Sequence, residues 1–437
     1  MLTTVVSDSL NWLFPMMMWF SSGPQYHAFP TPYLQRPIHF SINANLEHQS
    51  NGINAEVLKV ITGGREVTPV MKDRSLARLK PVNRLGVDVN AELSFVHFPM
   101  CKKQQQSKWG YYIGYKNRFV AHARISPDTY KLLFYGNSPF KGDTLHLKDE
   151  RVRYMAYQQL SVGFVHNIVS KKWTGNVGLA LSYINGSNFG DIRIKNGSFF
   201  TSSDAFTIDV GAKFGYFAND ATKNRYHYPN ASGMSADFFL NLQDPTRKNS
   251  ISLKLQDFGF MRANNFSQGL KLDTNITFEG IAINSPYDIN GDFINNLGDS
   301  ATRIINSGKY KDGKYIMLPS QLQIAYNREL IPFKLYGSLI YTQRFFSNAV
   351  PMGTVQVWGY PDPQIMIGGS VSYGGWGSYS IGVDLGFDLT RGWVLSLGTK
   401  QIQGIIAERK SSGFGGYAGI YKSFSGVKNK KGAKNEK

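Results

Sequence analysis

The chain has 437 residues, and only 18% of them are charged, whereas Gly (44), Phe (29) and Tyr (24) are abundant. Its mean hydropathy is -0.27, and no segment approaches the roughly 18 to 20 unbroken apolar residues that a membrane-spanning helix requires. These features exclude a helical membrane protein. They permit a transmembrane β-barrel, because each strand of a barrel exposes alternate residues to lipid and to a wet interior.

The net charge of +18 raises the question of nucleic-acid binding. The densest basic clusters lie beside predicted strands, and no nucleic-acid motif accompanies them. We therefore predict no nucleic-acid partner; outer-membrane lipid and lipopolysaccharide are the expected counter-charges, with a merely solvated basic surface as the alternative. Cys101 is the only cysteine, which excludes an internal disulfide, and the histidines lack metal-ligand spacing. No metal site and no cofactor is expected.

Residues 1–37 are predicted to be an N-terminal segment in front of the barrel. They contain an apolar stretch, but they lack a basic start and carry Asp8 and Pro15, so they make a poor signal peptide. We expect either a plug in the lumen or the remnant of a leader.

The first predicted strand, residues 38–47, ends in the sequence His48-Gln49-Ser50-Asn51-Gly52. This resembles the HxSNG signature of outer-membrane phospholipase A, in which the histidine is the general base and the serine the nucleophile. The resemblance implies a site formed by His48 and Ser50, with Asn83 as the nearest counterpart of the orienting asparagine. Here Asn83 is displaced by a long insertion, and a polar end of a strand is the competing interpretation.

Alternation of apolar and polar residues recurs along most of the chain, often over nine to eleven residues, about the length that crosses a bilayer. In residues 379–389 the apolar positions alternate with Ser380, Gly382, Asp384, Gly386 and Asp388. This pattern predicts one face on lipid and one face on a watery lumen. The other predicted strands are 85–96, 110–125, 159–168, 176–184, 206–216, 235–243, 251–255, 270–278, 320–328, 333–342, 365–374, 393–402 and 413–424. The charged residues predicted to face the lumen are Asp209, Lys213, Lys254, Asp273, Asp384 and Asp388; their mixed signs predict no strong ion selectivity.

Longer polar stretches at 53–81, 126–158 and 284–318 are predicted to be loops or caps, and 291–306 has the spacing of a short helix. Aromatic residues at strand ends are predicted to form girdles at the two membrane interfaces. These are Trp109, Tyr111, Tyr112, Trp173, Trp358, Tyr360 and Trp393.

The predicted fold is all-β: a transmembrane antiparallel barrel of about 14 strands. It spans residues 38–424 and ends on the aromatic Phe424, which resembles a barrel-assembly signal. Residues 425–437 form a basic tail that we expect to be disordered in the periplasm.

Residues 250–283, 318–326 and 365–424 carry a wider resemblance. Their layout of strands and turns is similar to that of an uncharacterised family of Bacteroidetes outer-membrane proteins, distantly similar to FadL-type transporters and PorV-type barrels. The resemblance implies a barrel of roughly 14 strands, with room for an N-terminal segment in the lumen, and no established activity.

Two classes of function follow. The favoured one is a non-enzymatic barrel in the outer membrane of a Gram-negative bacterium. It would be either a passage for hydrophobic or small ligands, or a docking subunit of an assembly or secretion complex with other outer-membrane proteins or lipoproteins. The alternative is a phospholipase A-type serine hydrolase that uses His48 and Ser50.

Overall fold

The computed structural model describes residues 37–62, 65–99, 107–205, 207–220, 229–246, 248–279, 306–389 and 391–424. Three predictions therefore lie outside the described residues: the N-terminal segment up to residue 36, nearly all of the helix at 291–306, and the tail at 425–437.

Eighteen strands lie within the described residues, and each is joined to a neighbour by antiparallel pairing. They are β1 (Ile38–Ser50), β2 (Asn83–His97), β3 (Trp109–Ile125), β4 (Thr144–Val169), β5 (Thr174–Thr201), β6 (Thr207–Ala218), β7 (Ala231–Gln243), β8 (Asn249–Ala263), β9 (Gln268–Glu279), β10 (Lys309–Lys311), β11 (Tyr315–Met317), β12 (Gln321–Ile331), β13 (Leu335–Arg344), β14 (Val350–Asp362), β15 (Ile365–Gly375), β16 (Tyr379–Asp388), β17 (Trp393–Thr399) and β18 (Gly413–Phe424).

Fourteen of these strands close into a barrel, as predicted. The ring runs β1, β2, β3, β4, β5, β7, β8, β12 and on through β18, which pairs back with β1 from Ile38 opposite Phe424 to Gln49 opposite Gly413. Closure pairs the edges that an open sheet would expose.

Alternate residues of the ring point outwards and are apolar and exposed. Leu181 is 61% exposed and Val162 is 59% exposed, while their neighbours Ala180 and Ser161 face inwards and are buried. An exposed apolar surface around a closed barrel is what a bilayer requires. The protein is therefore an outer-membrane barrel. No helix among the described residues is long and apolar enough to cross a membrane.

The two ends of the barrel differ. At the lower end, where β1 begins and β18 ends, connections such as residues 332–334 and 389–392 are short. At the upper end most connections are longer and contain the α-helices, although residues 345–349 and 376–378 form short turns there. The prediction that residues 126–158 form a loop or cap is wrong for the second half of this stretch, because β4 begins at Thr144. Strand β14 was not predicted at all.

The four α-helices of the described residues are α1 (Ala55–Thr62), α2 (Pro69–Leu76), α3 (Pro127–Tyr135) and α4 (Gln403–Ile406). Helices α1 to α3 form a helical lobe at the upper end, packed on outward-facing Ala123, Ile125 and Phe414. Ser126 caps α3 by accepting a hydrogen bond from the Thr129 N–H at 3.2 Å. Burial within the lobe raises the pKa of Tyr130 to about 12.

A second structure rises from the upper end and lies outside the ring. The upper parts of β4 and β5 extend beyond the barrel, and β5 there pairs with β6, β6 with β9, and β9 with the short β10. We call this the extension sheet. Asp209, Lys213 and Asp273 lie on it. The prediction that these three residues face the lumen is therefore wrong.

Candidate functional site

The three residues of the predicted hydrolase lie close together where β1 and β2 meet the helical lobe, and all are buried. The Ser50 hydroxyl accepts hydrogen bonds from the N–H groups of Gly52 (3.2 Å) and Ile53 (3.0 Å). The Asn83 side chain bonds the backbone of Lys80 at 2.7 and 2.8 Å.

The His48 ring in this group stacks on Phe414 with ring centroids 5.0 Å apart, and its Nδ1 atom has no hydrogen-bond partner among the described residues. Among the hydrogen bonds of the described residues, none joins His48 to Ser50. A general base must reach its nucleophile within about 3.2 Å. The local contacts thus favour the competing interpretation, in which these residues form a polar strand end with a structural role.

The middle of the lumen holds a layer of buried ionisable residues, which we call the charged layer. Arg118 donates to Asp88 at 2.7 Å and also to Asp257, and Lys116 donates to Asp257 at 3.1 Å. The two bonds to Asp257 cross the lumen from β3 to β8, whereas Asp88 lies on β2, the neighbour of β3. The members are Glu47, Asp88, Glu92, Lys116, Arg118, Asp237, Lys254, Asp257 and Arg344.

Asp257 is the centre of this layer, and an irregularity in β8 places it there. The pairing of β7 with β8 shifts register between Ala236 and Phe238, opposite Asp257, whose φ is 53°. Such a β-bulge turns one extra side chain towards the lumen. The Asp257 backbone N–H donates to Asp237 at 2.6 Å, and its carboxylate accepts from Lys116 and Arg118. Paired in this way, the buried charges avoid the large cost of isolated ions.

Above the charged layer, apolar side chains line much of the lumen. Trp376, at the turn between β15 and β16, is buried against β2, where a Cβ on Gly86 would lie 1.8 Å from the indole. Glycine is therefore the residue that lets the ring approach the wall. The Arg344 guanidinium lies 4.4 Å from the ring centroid of Trp376. We call the surrounding residues the upper apolar cluster: Val120, Met155, Tyr157, Ile184, Phe189, Phe217, Ala231, Met261, Ala263, Ile316, Leu318 and Trp376.

Aromatic residues also line the lower lumen. Tyr336 and Trp358 stack at 4.3 Å between ring centroids, and Tyr360 meets both edge-on. The girdle prediction is therefore wrong for Trp358 and Tyr360, and also for Tyr112, which is buried. The four remaining girdle residues are all exposed near the lower end, as the prediction requires: Trp109, Tyr111, Trp173 and Trp393.

A cleft of about 510 Å³ opens where the extension sheet stands over the upper mouth of the barrel. We call it the mouth cleft. Its lining includes Phe189, Phe217 and Ile316, which also belong to the upper apolar cluster, so the two surfaces are continuous. Five basic residues and one acidic residue line the cleft: Arg151, Arg153, Arg193, Lys271, Lys314 and Asp191. With five cations and one carboxylate, these groups carry a net charge of +4.

Sequence reasoning found only part of this site. Lys254 and Asp384 face the lumen and are buried, as predicted. Lys116, Arg118 and Asp257 were missed, although Lys116 and Arg118 alternate with Tyr115, Asn117 and Phe119 along β3. That alternation was the available signal, whereas nothing in the local sequence marks the bulge at Asp257. No cluster of His, Cys, Asp and Glu suited to a metal ion occurs among the described residues.

Solved structures of barrels are similar to this chain. One is the toluene transporter TodX of P. putida, with 8% identity and a TM-score of 0.43 over 90% of this chain and 91% of that chain. Another is a FadL homologue of Pseudomonas aeruginosa, with 8% identity and a TM-score of 0.42 over 96% of both chains. A third is the monoaromatic hydrocarbon channel CymD, with 10% identity and a TM-score of 0.45 over 96% and 97%.

No curated protein matches the chain. The prediction of a docking subunit with protein partners gains no support from these comparisons and stays a prediction. The same holds for the Bacteroidetes origin and the PorV-type likeness of the family resemblance.

The predicted membership of an uncharacterised family is confirmed. A family model described as "Family of unknown function (DUF5723)" matches residues 28–396, which is more than four fifths of the chain. The chain therefore belongs to the DUF5723 family.

Proposed function

We propose that this protein is a non-enzymatic passage for small hydrophobic molecules across the outer membrane of a Gram-negative bacterium. The observation that carries the proposal is the apolar surface that runs from the mouth cleft into the upper lumen through Phe189, Phe217 and Ile316. Barrels that conduct water and ions have polar interiors. The apolar part of this entry instead favours molecules that leave water readily.

The charged layer sets the boundary of this route. An apolar molecule gains nothing from a layer of ion pairs, and it cannot replace the hydrogen bonds that Arg118 and Lys116 make to Asp257. We therefore expect the ligand to bind above the charged layer and to go further only when those ion pairs part. This fits a selective passage better than an open pore.

Outer-membrane vesicles offer a direct test. The neutral apolar dye N-phenyl-1-naphthylamine fluoresces when it reaches lipid, so its initial rate of entry can be followed. Vesicles that contain the protein should admit the dye several-fold faster than vesicles without it. Ala263→Trp should remove this gain, because Ala263 belongs to the upper apolar cluster and the added ring fills the lumen.

Ala418→Trp is the matched control, since Ala418 is exposed on the outward face of β18; it should leave the rate unchanged. Heat-dependent mobility in gels would show whether each variant still forms a barrel. Equal dye entry with and without the wild-type protein would overturn the proposal, as would faster entry of a polar sugar than of the dye.

A further inference from the structure

We propose that the mouth cleft is a binding site for a small organic anion with an aromatic or similarly flat apolar body. The inference rests on the proposed function, because it names the class of molecule that enters the barrel. The cleft combines the two properties such a ligand requires, unbalanced positive charge and aromatic walls. Neither the lumen below it nor a second large cleft on the extension sheet shares both.

The positive charge of the mouth cleft is only partly neutralised within the described residues. Arg151 pairs with Asp191 through two hydrogen bonds of 3.0 and 2.7 Å. Arg153, Arg193 and Lys271 form no ion pair within 4 Å in the described chain. The ligand would thus supply the missing negative charge.

Arg153 is the clearest indication that a partner is missing. It is only 6% exposed, yet its two terminal nitrogens bond to backbone oxygens rather than to a carboxylate: Nη1 to Phe346 (3.2 Å) and Nη2 to Met317 (2.8 Å). Its Nε atom is buried and has no hydrogen-bond partner among the described residues. A buried guanidinium without a carboxylate partner is costly, and an anion bound in the adjoining cleft would offset its positive charge.

The walls of the mouth cleft supply the apolar contacts. Lys314 lies 4.3 Å from the ring centroid of Tyr310 and 4.8 Å from that of Phe217, and Lys271 lies 5.2 Å from Tyr310. A cation over one face of a ring leaves the other face or the edge for contact with a ligand, and the cation itself attracts an anion. The volume of about 510 Å³ lies within the range for small organic ligands.

Three contrasts support this ligand class and this site. An inorganic anion would use the cations but gain nothing from Phe189, Phe217 and Ile316. The other large cleft, about 570 Å³ on the extension sheet, is lined by polar and small residues without any aromatic ring. The charged layer in the lumen has five acids and four bases, so it offers no comparable excess of positive charge.

Three matched probes test the inference: 2-naphthalenesulfonate (an anion), 2-naphthol (neutral at pH 7) and 2-naphthylmethylammonium (a cation). Calorimetry on the full-length protein in lipid nanodiscs would measure their affinities. We expect the anion to bind at least tenfold more tightly than the other two. Its affinity should fall as salt is added, because these charges are partly exposed to solvent.

The double variant Arg193→Gln/Lys271→Gln should weaken binding of the anion about tenfold or more and leave the neutral probe unchanged. Lys195→Gln is the control, since Lys195 is an exposed neighbour of Arg193 that does not line the cleft. Equal affinities for the three probes would overturn the inference. An unaltered affinity in the double variant would do the same.

The dye-entry test and the probe-binding test can fail independently of each other. Dye entry without any preference for the anion would remove this inference and leave the proposed passage intact. Selective binding of the anion without dye entry would keep the binding site and remove the passage.

Discussion

Two sets of oppositely charged residues lie on strands that share an alternation of inward and outward side chains, yet the surroundings of the two sets differ. In the barrel wall, Lys116 and Arg118 reach Asp257, and these side chains are almost fully buried. On the extension sheet, Lys213 lies 2.5 Å from Asp273, and the two side chains are 51% and 70% exposed. One set spans a lumen, and the other lies in water.

The comparison teaches that alternation reports two faces of a strand but not what covers each face. Both sets satisfy the same rule of one apolar and one polar side. Their contributions to the free energy of unfolding should differ several-fold. Loss of one partner of a buried pair leaves the other charge unsolvated, whereas water solvates the charge that remains from an exposed pair. Asp257→Asn and Asp273→Asn measure that difference directly, while Gly86→Ala and Ser50→Ala test other contacts of the barrel wall.

Asp257→Asn should have the largest effect. It leaves Lys116 and Arg118 without their shared carboxylate, and loss of one partner of a buried pair costs about 3 to 5 kcal/mol. The free energy of unfolding, from urea titration in detergent micelles, should fall by that amount. An unchanged free energy would mean that the charged layer does not stabilise the barrel.

Gly86→Ala should come next. The new methyl group would lie 1.8 Å from the Trp376 indole, and overpacking of this kind costs about 1 to 3 kcal/mol. Gly353→Ala is the control, because a Cβ there meets nothing within 4 Å. If both variants unfold at the same urea concentration, Trp376 is not packed tightly against the wall.

Ser50→Ala concerns the boundary between the barrel wall and the helical lobe. It removes an acceptor for the N–H groups of Gly52 and Ile53, and loss of a buried hydrogen bond costs about 0.5 to 1.5 kcal/mol. The melting temperature should fall slightly, and phospholipase assays on mixed micelles should give no signal for wild type or variant. A wild-type signal that the variant loses at unchanged stability would restore the hydrolase.

Asp273→Asn should have the smallest effect, because its pair with Lys213 is exposed and worth about 0 to 1 kcal/mol. Any loss should vanish in high salt. The same urea titration, run beside Asp257→Asn, gives the ratio between the two environments. A loss as large as that of Asp257→Asn would place this pair in a buried setting and break the comparison.

Much of the barrel was predictable because each strand carries its own evidence. The segment at residues 379–389 alternates so regularly that its strand and both of its faces follow from sequence. Val350–Asp362 was missed, since Pro351, Gly353 and Pro361 interrupt its pattern. Trp358 was assigned to a girdle because an aromatic residue suits either an interface or an interior, and only its neighbours decide which.

The sequence by itself determined an all-β chain whose strands have one apolar and one polar face, because a side-chain period of two is a local property. Only the tertiary structure decided which strands close the ring, which of them rise into the extension sheet, and which charges meet across the lumen. These outcomes depend on pairing between residues more than 100 positions apart, such as Lys116 and Asp257. No local pattern encodes a contact of that range.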